Sequence, residues 1–555
     1  MTTPFATHEV FNQSPPFADV NLFTTDRALT EAVSREGGGP AVKRLTAFGA
    51  LTGSAEAFER GRIANENPPR LRPFDSKGRR LDTVEFHPAY HECMEISVHE
   101  GLHCSAWDHL VKPGAKPVTG ANVARSAGCY MAIQMEAGHQ CPITMTNASV
   151  PTLLLQPEIA KWWLPKILSR DYDKAFKPAA EKCGVTIGMG MTEKQGGTDV
   201  RANATVAEPV GNGGPGGEYL LTGHKWFMSA PMCDAFLVLA QAPGGLSCFL
   251  MPRFLPDGNV NALAFQRLKD KLGNRSNASS EVEFQAAHAW LIGEEGRGVP
   301  TIIEMVTCTR LDCAVASAGL MRLAVANAIQ HCRHRSVFQK HLVDQPLMTQ
   351  VLADLVLDVE AATALSFRLA RSFDRAADAH AAAWRRLMTP VTKYWVCKIG
   401  PALAYEAMEC LGGNGYVEEG LAARLYRELP LNAIWEGSGN VMALDLLRVL
   451  QREPETVEIV MDEFGRAVGG DAHLRAHLAR VQGLLQEPRM LDRRGRDLAE
   501  ALAMLAAGTI LRAHAPAAVA DAFIGTRLSG AGRQTYGQGL DWADTRAIVD
   551  RALPM

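Results

Sequence analysis

The sequence predicts an α+β fold, mainly α, in four consecutive regions: a helical domain over 1–186, a β-domain over 187–298, a helical bundle over 299–450 and an extra helical domain over 451–555. Three observations predict it. Apolar residues recur at helical spacing through the first third of the chain. β-rich runs separated by turn residues follow, and the helical period then returns and persists to the end. A chain of 555 residues exceeds what one hydrophobic core usually serves, so several domains are expected.

In the first region the breaks are explicit. Ser34-Arg35-Glu36-Gly37-Gly38-Gly39-Pro40 joins a glycine run to a proline that cannot continue a helix, and Asn65-Glu66-Asn67-Pro68-Pro69 is a second stop. Residues 121–138 and 151–168 carry apolar side chains at helical spacing. The character changes near Gly188. Tyr219 to Thr222, Ala235 to Ala240, Ser247 to Met251 and the alternating Val282-Glu283-Phe284 read as strands of an antiparallel β-domain. From Val299 the helical period resumes. Leu352, Leu355, Val359, Ala362, Leu365 and Leu369 form the buried stripe of one long helix, and short connections between such helices suggest a bundle. Gln451-Arg452-Glu453-Pro454-Glu455 reads as a linker. Beyond it, Leu474, Leu478, Val481 and Leu485 mark one amphipathic helix and Leu498, Leu502 and Leu505 another.

Charged residues at 21% and hydrophobic ones at 47% fit a soluble globular chain. The net charge of −3 argues against a protein that coats nucleic acid or anionic membrane along its whole surface, and leaves room for a local basic patch. The twelve cysteines stand singly, without C-x-x-C or zinc-finger spacing, so neither a metal site nor a disulfide framework is expected, and free thiols fit a reducing compartment. No basic-then-apolar leader opens the sequence and no apolar run reaches bilayer length; a cytoplasmic protein without membrane contact is the expectation.

Some motifs have plain explanations. Gly211-Asn212-Gly213-Gly214-Pro215-Gly216 spells G-x-G-x-x-G, but Pro215 and the β-run after it make it a hairpin loop, since the dinucleotide fingerprint needs a helix there. His473 and His477 lie four apart on a helix without a third ligand nearby, as solvated histidines do. Ser438 lacks the G-x-S-x-G frame of a nucleophile elbow.

Three stretches carry more. Met189 to Asp199 combines small residues, hydroxyls and the Gly196-Gly197 pair, a pattern that suits a flat heterocycle and a pyrophosphate held by backbone groups. Trp226-Phe227-Met228-Ser229 offers aromatics and a hydroxyl on one strand as a second wall. Ile434-Trp435-Glu436-Gly437-Ser438-Gly439-Asn440 places one carboxylate before a glycine-punctuated turn whose N–H groups can meet a ligand. An apolar neighbourhood there would lift the Glu436 pKa toward that of a general base. The same stretch is also what a helix-terminal turn with a solvated glutamate looks like.

Taken in order, these stretches resemble the acyl-CoA dehydrogenase family over residues 100–450. Met191-Thr192-Glu193 through Gly197-Thr198-Asp199 is similar to its T-E-x-x-x-G-S-D flavin segment, and Phe227-Met228-Ser229 stands where W-I-T lies against the isoalloxazine. Leu272-Gly273-Asn274-Arg275 and Gly293 to Gly298 resemble the exit from its β-domain. Arg335-Ser336-Val337-Phe338 resembles the R-x-x-F-G that reaches the FAD of a neighbouring subunit. Leu411 to Tyr416 resembles the end of Q-x-x-G-G-x-G-Y, and Trp435-Glu436-Gly437-Ser438 resembles Y-E-G-T. The chain departs from these patterns at Lys194-Gln195, Gln339 and Glu409.

The resemblance implies an N-terminal helical domain, a middle β-domain and a C-terminal four-helix bundle with FAD between them, assembled as a homotetramer, a dimer of dimers. It implies cofactor contacts from Met189, Gly190, Met191, Thr192, Gly197, Thr198, Phe227, Met228, Ser229, Arg335, Phe338, Ile434, Trp435, Gly437, Ser438, Gly439 and Asn440. Glu436 stands where the family places the base that takes the α-proton of an acyl-CoA thioester, in an oxidoreductase acting on the CH–CH group; the alternative base position, before Arg310, holds Thr309. The added N-terminal stretch and tail, with Cys141 to Thr146 and Gly223 to Phe227, are most similar to the branch of the family that serves the response to DNA alkylation and binds double-stranded DNA. For that role Arg448, Arg489, Arg493, Arg494 and Arg496 are the candidate phosphate contacts, although residues 451–555 hold thirteen Arg and no Lys against fourteen Asp and Glu. The expected function is a DNA-associated flavoprotein with weak dehydrogenation of short branched acyl-CoA or, in the alternative, a metabolic acyl-CoA dehydrogenase without DNA.

Overall fold

The chain opens with α1 (Arg27–Arg35), α2 (Val42–Thr52) and α3 (Ala55–Glu66). Asp26 caps α1 by accepting from the Leu29 N–H, and Ser54 caps α3 by accepting from Ala57 N–H. A hairpin follows, β1 (Arg70–Phe74) paired antiparallel with β2 (Arg80–Glu85). Its signal in the sequence is weak: the strands are short, rich in arginine and acids, and Pro73 stands inside β1, although Leu71 and Val84 pair on the inner face. Helices α4 (Pro88–His99), α5 (Ala121–Met135), α6 (Gln140–Leu153) and α7 (Pro157–Ile167) complete the first region. The computed structural model describes residues 7–111, 114–375, 377–487, 490–529 and 535–554.

Seven strands form the sheet of the middle region: β3 (Ile187–Gly190), β4 (Val206–Pro209), β5 (Glu218–Ser229), β6 (Ala235–Ala242), β7 (Gly245–Pro252), β8 (Leu263–Leu268) and β9 (Ser279–Ile292). Antiparallel pairs dominate, but β3 and β4 each run parallel to β6. Pairing of β6 with both β4 and β7 bends the sheet round, so that β4, β5, β9, β7 and β6 close a ring, with Tyr219 and Phe249 packed edge to face on one side of it. Residues Gly211 to Gly216 do form the loop between the paired strands β4 and β5.

The bundle is built on α8 (Gly298–His334), after which a small hairpin, β10 (Ser336–Val337) with β11 (Lys340–His341), leads to α9 (Pro346–Asp374) and α10 (Ala379–Glu409). Then come α11 (Gly413–Tyr416), α12 (Leu421–Asn432) and α13 (Gly439–Arg452). By length and composition α8 would span a bilayer, which corrects the expectation from apolar runs; 89% of its most apolar window is buried in the protein, as the central helix of a bundle should be. The expected linker at 451–455 is also corrected: only Glu453 separates α13 from α14 (Pro454–Ala467). Helices α15 (Ala472–Leu485), α16 (Leu491–His514), α17 (Ala517–Arg527) and α18 (Thr545–Ala552) follow. His477 is buried and its Nε2 bonds the Ala501 carbonyl at 3.0 Å, so it is a packing residue of α15 and not a solvated one.

One apolar core runs from Phe17 through α5, α8, α9 and α10 to Leu553, and a second fills the β-domain. The tail therefore belongs to the same core as the bundle. Ion pairs reinforce the union: Arg527 reaches Asp354 at 2.7 Å and Asp358 at 2.9 Å, and Arg551 joins Glu360 at 2.7 Å and Glu31 at 2.5 Å. The first region is tied to α8 by a buried bidentate pair, Arg125 with Asp312, at 2.7 Å for both contacts.

Candidate active site

The short connection from α12 to α13 carries Glu436 in the left-handed region, at φ 59°, followed by Gly437 at φ 106°. A glutamate there costs roughly 1–2 kcal/mol, so the surroundings must hold it. They do so from three sides. Arg310 Nε donates to the Glu436 carbonyl at 3.0 Å, while the same guanidinium is held by Asp445 at 2.6 Å. Lys393 Nζ, buried in the middle of α10, donates to the Trp435 carbonyl at 2.9 Å and to the Gly437 carbonyl. Thr309 Oγ1 donates to Glu436 Oε2 at 2.5 Å. Burial pushes the Glu436 carboxyl above its ordinary range, with Thr309, Arg310 and Lys393 opposing that rise.

The second wall comes from the β-domain. Trp226 and Phe227 end β5 under the Lys269 ammonium, 3.2 Å and 4.7 Å from the ring centroids, and Phe227 remains 48% exposed. Ser229 Oγ pairs with Ser279 Oγ at 3.1 Å. The Met228 side chain points the other way, fully buried in the sheet, so only its backbone can face a ligand on this side. Met189, Met191 and Trp435 all pack against the apolar cluster of the β-domain. The intervening loop is anchored by Glu193, a residue of the motif whose role the sequence did not single out. Its buried carboxylate accepts from Lys225 Nζ at 2.7 Å, Thr205 Oγ1 at 2.6 Å and the Ala204 N–H at 2.6 Å, and these contacts hold its pKa down at about 2. Trp226 N–H donates to the Thr192 carbonyl at 2.8 Å. Gly197 closes on Thr192 so tightly that an added Cβ would lie 2.3 Å from its Oγ1, while Thr198 remains exposed.

A third component is positive charge. Ser438 begins α13 without a side-chain cap, leaving the first N–H groups of the helix open, and Ile434 and Asn440 are exposed beside it. Around Gly439 stand Lys398, Tyr394 and Arg496, whose atoms would lie 3.1, 3.3 and 3.4 Å from an added Cβ. Burial, and next the neighbouring Arg496 and Lys393 charges, pull the Lys398 pKa down. An uncapped helix N-terminus flanked by cations is a site for phosphate groups.

Arg496 thus belongs to this rim and not to an independent basic patch, a correction to its placement with the other arginines. Arg448 lies nine residues along α13, about 13 Å away, and pairs with Asp445 at 3.5 Å. Arg494 pairs with Glu487 at 2.8 Å, Arg493 is exposed, and Arg489 lies outside the described residues. Arg335 and Phe338 are not brought to Glu436. They follow the end of α8, 26 residues from Thr309 and so about 39 Å along the helix. There Arg335 donates to the Asn12 carbonyl at 2.8 Å and Phe338 is 89% exposed.

Three models of known families match the chain. One described as the adaptive response protein AidB N-terminal domain covers residues 12–174, one described as the acyl-CoA dehydrogenase middle domain covers 188–287, and one described as the acyl-CoA dehydrogenase C-terminal domain covers 296–451. AidB of Escherichia coli (strain K12) is 48% identical over 518 residues, 93% of this chain and 94% of that protein. The structure of Caenorhabditis elegans ACDH-11 in complex with C11-CoA superposes with a TM-score of 0.84 at 27% identity, covering 100% of this chain and 94% of that one. An acyl-CoA dehydrogenase complexed with FAD from Bacillus anthracis shares the fold, with a TM-score of 0.63 at 16% identity over 79% of this chain and 80% of that one.

Proposed function

Because the chain belongs to the acyl-CoA dehydrogenase family, we propose that it binds FAD between strand β5 and the Glu436 loop and takes the α-proton of a short, branched acyl-CoA thioester. The observation that carries this reading is Glu436: a strained, half-buried carboxylate held by Thr309, Arg310 and Lys393.

The residues present fit the cofactor. Phe227 offers an open aromatic face, the Met189 to Thr198 segment offers backbone groups beside Thr192 and Thr198, and the uncapped N-terminus of α13 with Lys398 and Arg496 suits a pyrophosphate. When bound, FAD supplies the acceptor for the hydride that leaves the acyl β-carbon. The chain's own task is the proton. Glu436 becomes the base once ionised, and its raised pKa makes it a stronger one than a solvated glutamate. Arg310 and Lys393 bind backbone carbonyls on either side, so the carboxylate can move without the loop following. Arg335 and Phe338, too distant to act in their own chain, would serve the cofactor of a second copy in a homotetramer.

A purified protein with a flavin spectrum that bleaches anaerobically on adding isobutyryl-CoA, and a Glu436→Gln variant that keeps the spectrum but does not bleach, are the expected results. Unchanged bleaching in the variant would remove Glu436 from the mechanism.

A second role, association with DNA in the response to alkylation, is supported by the 48% identity with AidB and by the adaptive-response domain matched over 12–174. Binding of duplex DNA that weakens steeply with salt is expected in a gel shift, and its absence at low salt would dispose of the idea. Twelve unpaired cysteines, eleven of them buried, suit a cytoplasmic setting for either role.

A further inference from the structure

The tail holds a cavity of about 400 Å³, within the size range of small-molecule sites. His473 of α15, Arg512 of α16, Asp521, Ile524 and Gly525 of α17, and Trp542 ahead of α18 line it. Arg512 stands 16 residues beyond Arg496 on α16, about 24 Å along the helix, so the cavity is separate from the rim of the Glu436 site. Gly525 lets the six-membered ring of Trp542 settle on α17, where an added Cβ would lie 2.7 Å from its Cζ2. The indole is nonetheless 56% exposed, a large aromatic surface held in place and left in water. Arg512 is fixed between two carboxylates. Its Nε and Nη2 reach Asp471 Oδ2 at 2.9 and 2.8 Å, and its Nη1 donates to Asp521 Oδ1 at 2.5 Å. That contact orients Asp521 by one oxygen. Asp521 Oδ2, the His473 ring and the Trp542 indole N–H have no hydrogen-bond partner among the described residues.

We propose that this cavity binds a purine base of the guanine type, stacked on Trp542 and paired through its Watson–Crick edge with Asp521. Stacking on an aromatic side chain accepts any base, since every base has a flat face. The carboxylate selects among them. Guanine presents its N1–H and its N2 amino group side by side, two donors that match the open Oδ2 and the second lone pair of Oδ1. Adenine presents one donor beside the N1 acceptor, whose lone pair would face the carboxylate without a proton between them. Charge agrees with this choice: Asp471 and Asp521 outnumber the single cation of Arg512, so the cavity receives N–H donors and leaves an attached phosphate to solvent. Ile524, 1% exposed, adds apolar surface for the ring. The site shares no residue with the Glu436 loop, and a failed flavin assay would leave it untouched.

The test is isothermal titration of the full-length protein in excess FAD, which keeps nucleotides out of the Glu436 site. The probes are GMP and AMP as free nucleotides, and single-stranded thymine pentamers with a central guanine or a central adenine. The guanine probe should bind about tenfold more tightly than its adenine counterpart. Whether GMP or the guanine pentamer binds tighter identifies a free nucleotide or a strand as the source of the base. Trp542→Ala should weaken guanine and adenine probes alike, by about tenfold. Asp521→Asn, which leaves Arg512 held by Asp471, should bring guanine down to the adenine level while stacking persists. Both side chains are largely exposed, so both variants should melt with the wild type. Absence of binding by all four probes overturns the inference. Equal binding of guanine and adenine by the wild type does so too, as does a guanine preference that survives Asp521→Asn or an affinity that survives Trp542→Ala.

Discussion

The hydroxyl of Thr309 donates to Glu436 Oε2 at 2.5 Å, tying the long helix α8 to the turn before α13. Thr309→Val removes the hydrogen bond that favours the ionised form. A bond to a charged group is worth about 1.5–3 kcal/mol, or roughly one to two pH units. The acid limb of flavin bleaching should therefore move to higher pH by about that much, with the high-pH plateau retained. A profile that stays in place would mean that Thr309 does not tune the base.

Glu428 is buried with a pKa raised to about 7, chiefly by burial and next by Glu136. Its folded pKa lies above the ordinary value of 4.5, so its contribution to stability is complete below pH 4.5 and is lost as pH rises toward 7. The loss is on the order of 3 kcal/mol. Glu428→Gln can still accept from the Asn274 N–H, and should melt higher than the wild type at pH 8 but not at pH 4.5.

The Glu193–Lys225 pair works in the opposite direction. Glu193 titrates at about 2, below its ordinary 4.5, so its contribution is present above pH 4.5 and fades as pH falls toward 2. Lys225→Met leaves a buried carboxylate without its cation, at a cost of about 3–5 kcal/mol. Tm should drop at pH 7, and the ratio of FAD to protein after gel filtration should fall with it because the Thr192 loop is anchored there. Lys194→Ala, on the exposed side of the same loop, should change neither.

Two arginines three residues apart on α16 should separate cofactor from DNA. Arg496, stacked 5.8 Å from the Tyr394 ring at the rim of the site, should on substitution by alanine weaken FAD retention about tenfold. Arg493 is exposed on the same helix; Arg493→Ala should leave the flavin alone and lower the salt slope of any DNA binding by about one. Dialysis against FAD and gel shifts at several salt concentrations read the two effects separately.

Much of the fold was legible because its signals are periodic. The Leu352 to Leu369 stripe is α9, and the β-runs from Tyr219 onward are β5, β6, β7 and β9. The β1–β2 hairpin is hard to read because its strands are short, arginine-rich and carry Pro73, and the stretch at Pro454 reads as a linker because proline breaks helices, yet it also suits the first turn of a helix, where it sits in α14. Within the site, the motifs led to Glu436 and its neighbours, but not to the groups that hold them. Lys393, a lone lysine amid apolar residues of α10, carried a signal that could have been weighed. Arg496 was grouped with Arg493 by sequence proximity, whereas three residues on a helix turn it toward α10.

The acidic face of α9 has a consequence for how the chain is made. Asp354, Asp358 and Glu360 are almost entirely buried, and the arginines that answer them, Arg527 and Arg551, come roughly 170 to 190 residues later. A ribosome delivers α9 long before it delivers those cations. The middle helix of the bundle must therefore wait, hydrated and incompletely packed, until Arg527 and Arg551 have both emerged from the exit tunnel. Consolidation of the bundle trails its own synthesis by well over a hundred residues, and a nascent chain stalled between α9 and Arg551 would be a client for chaperones.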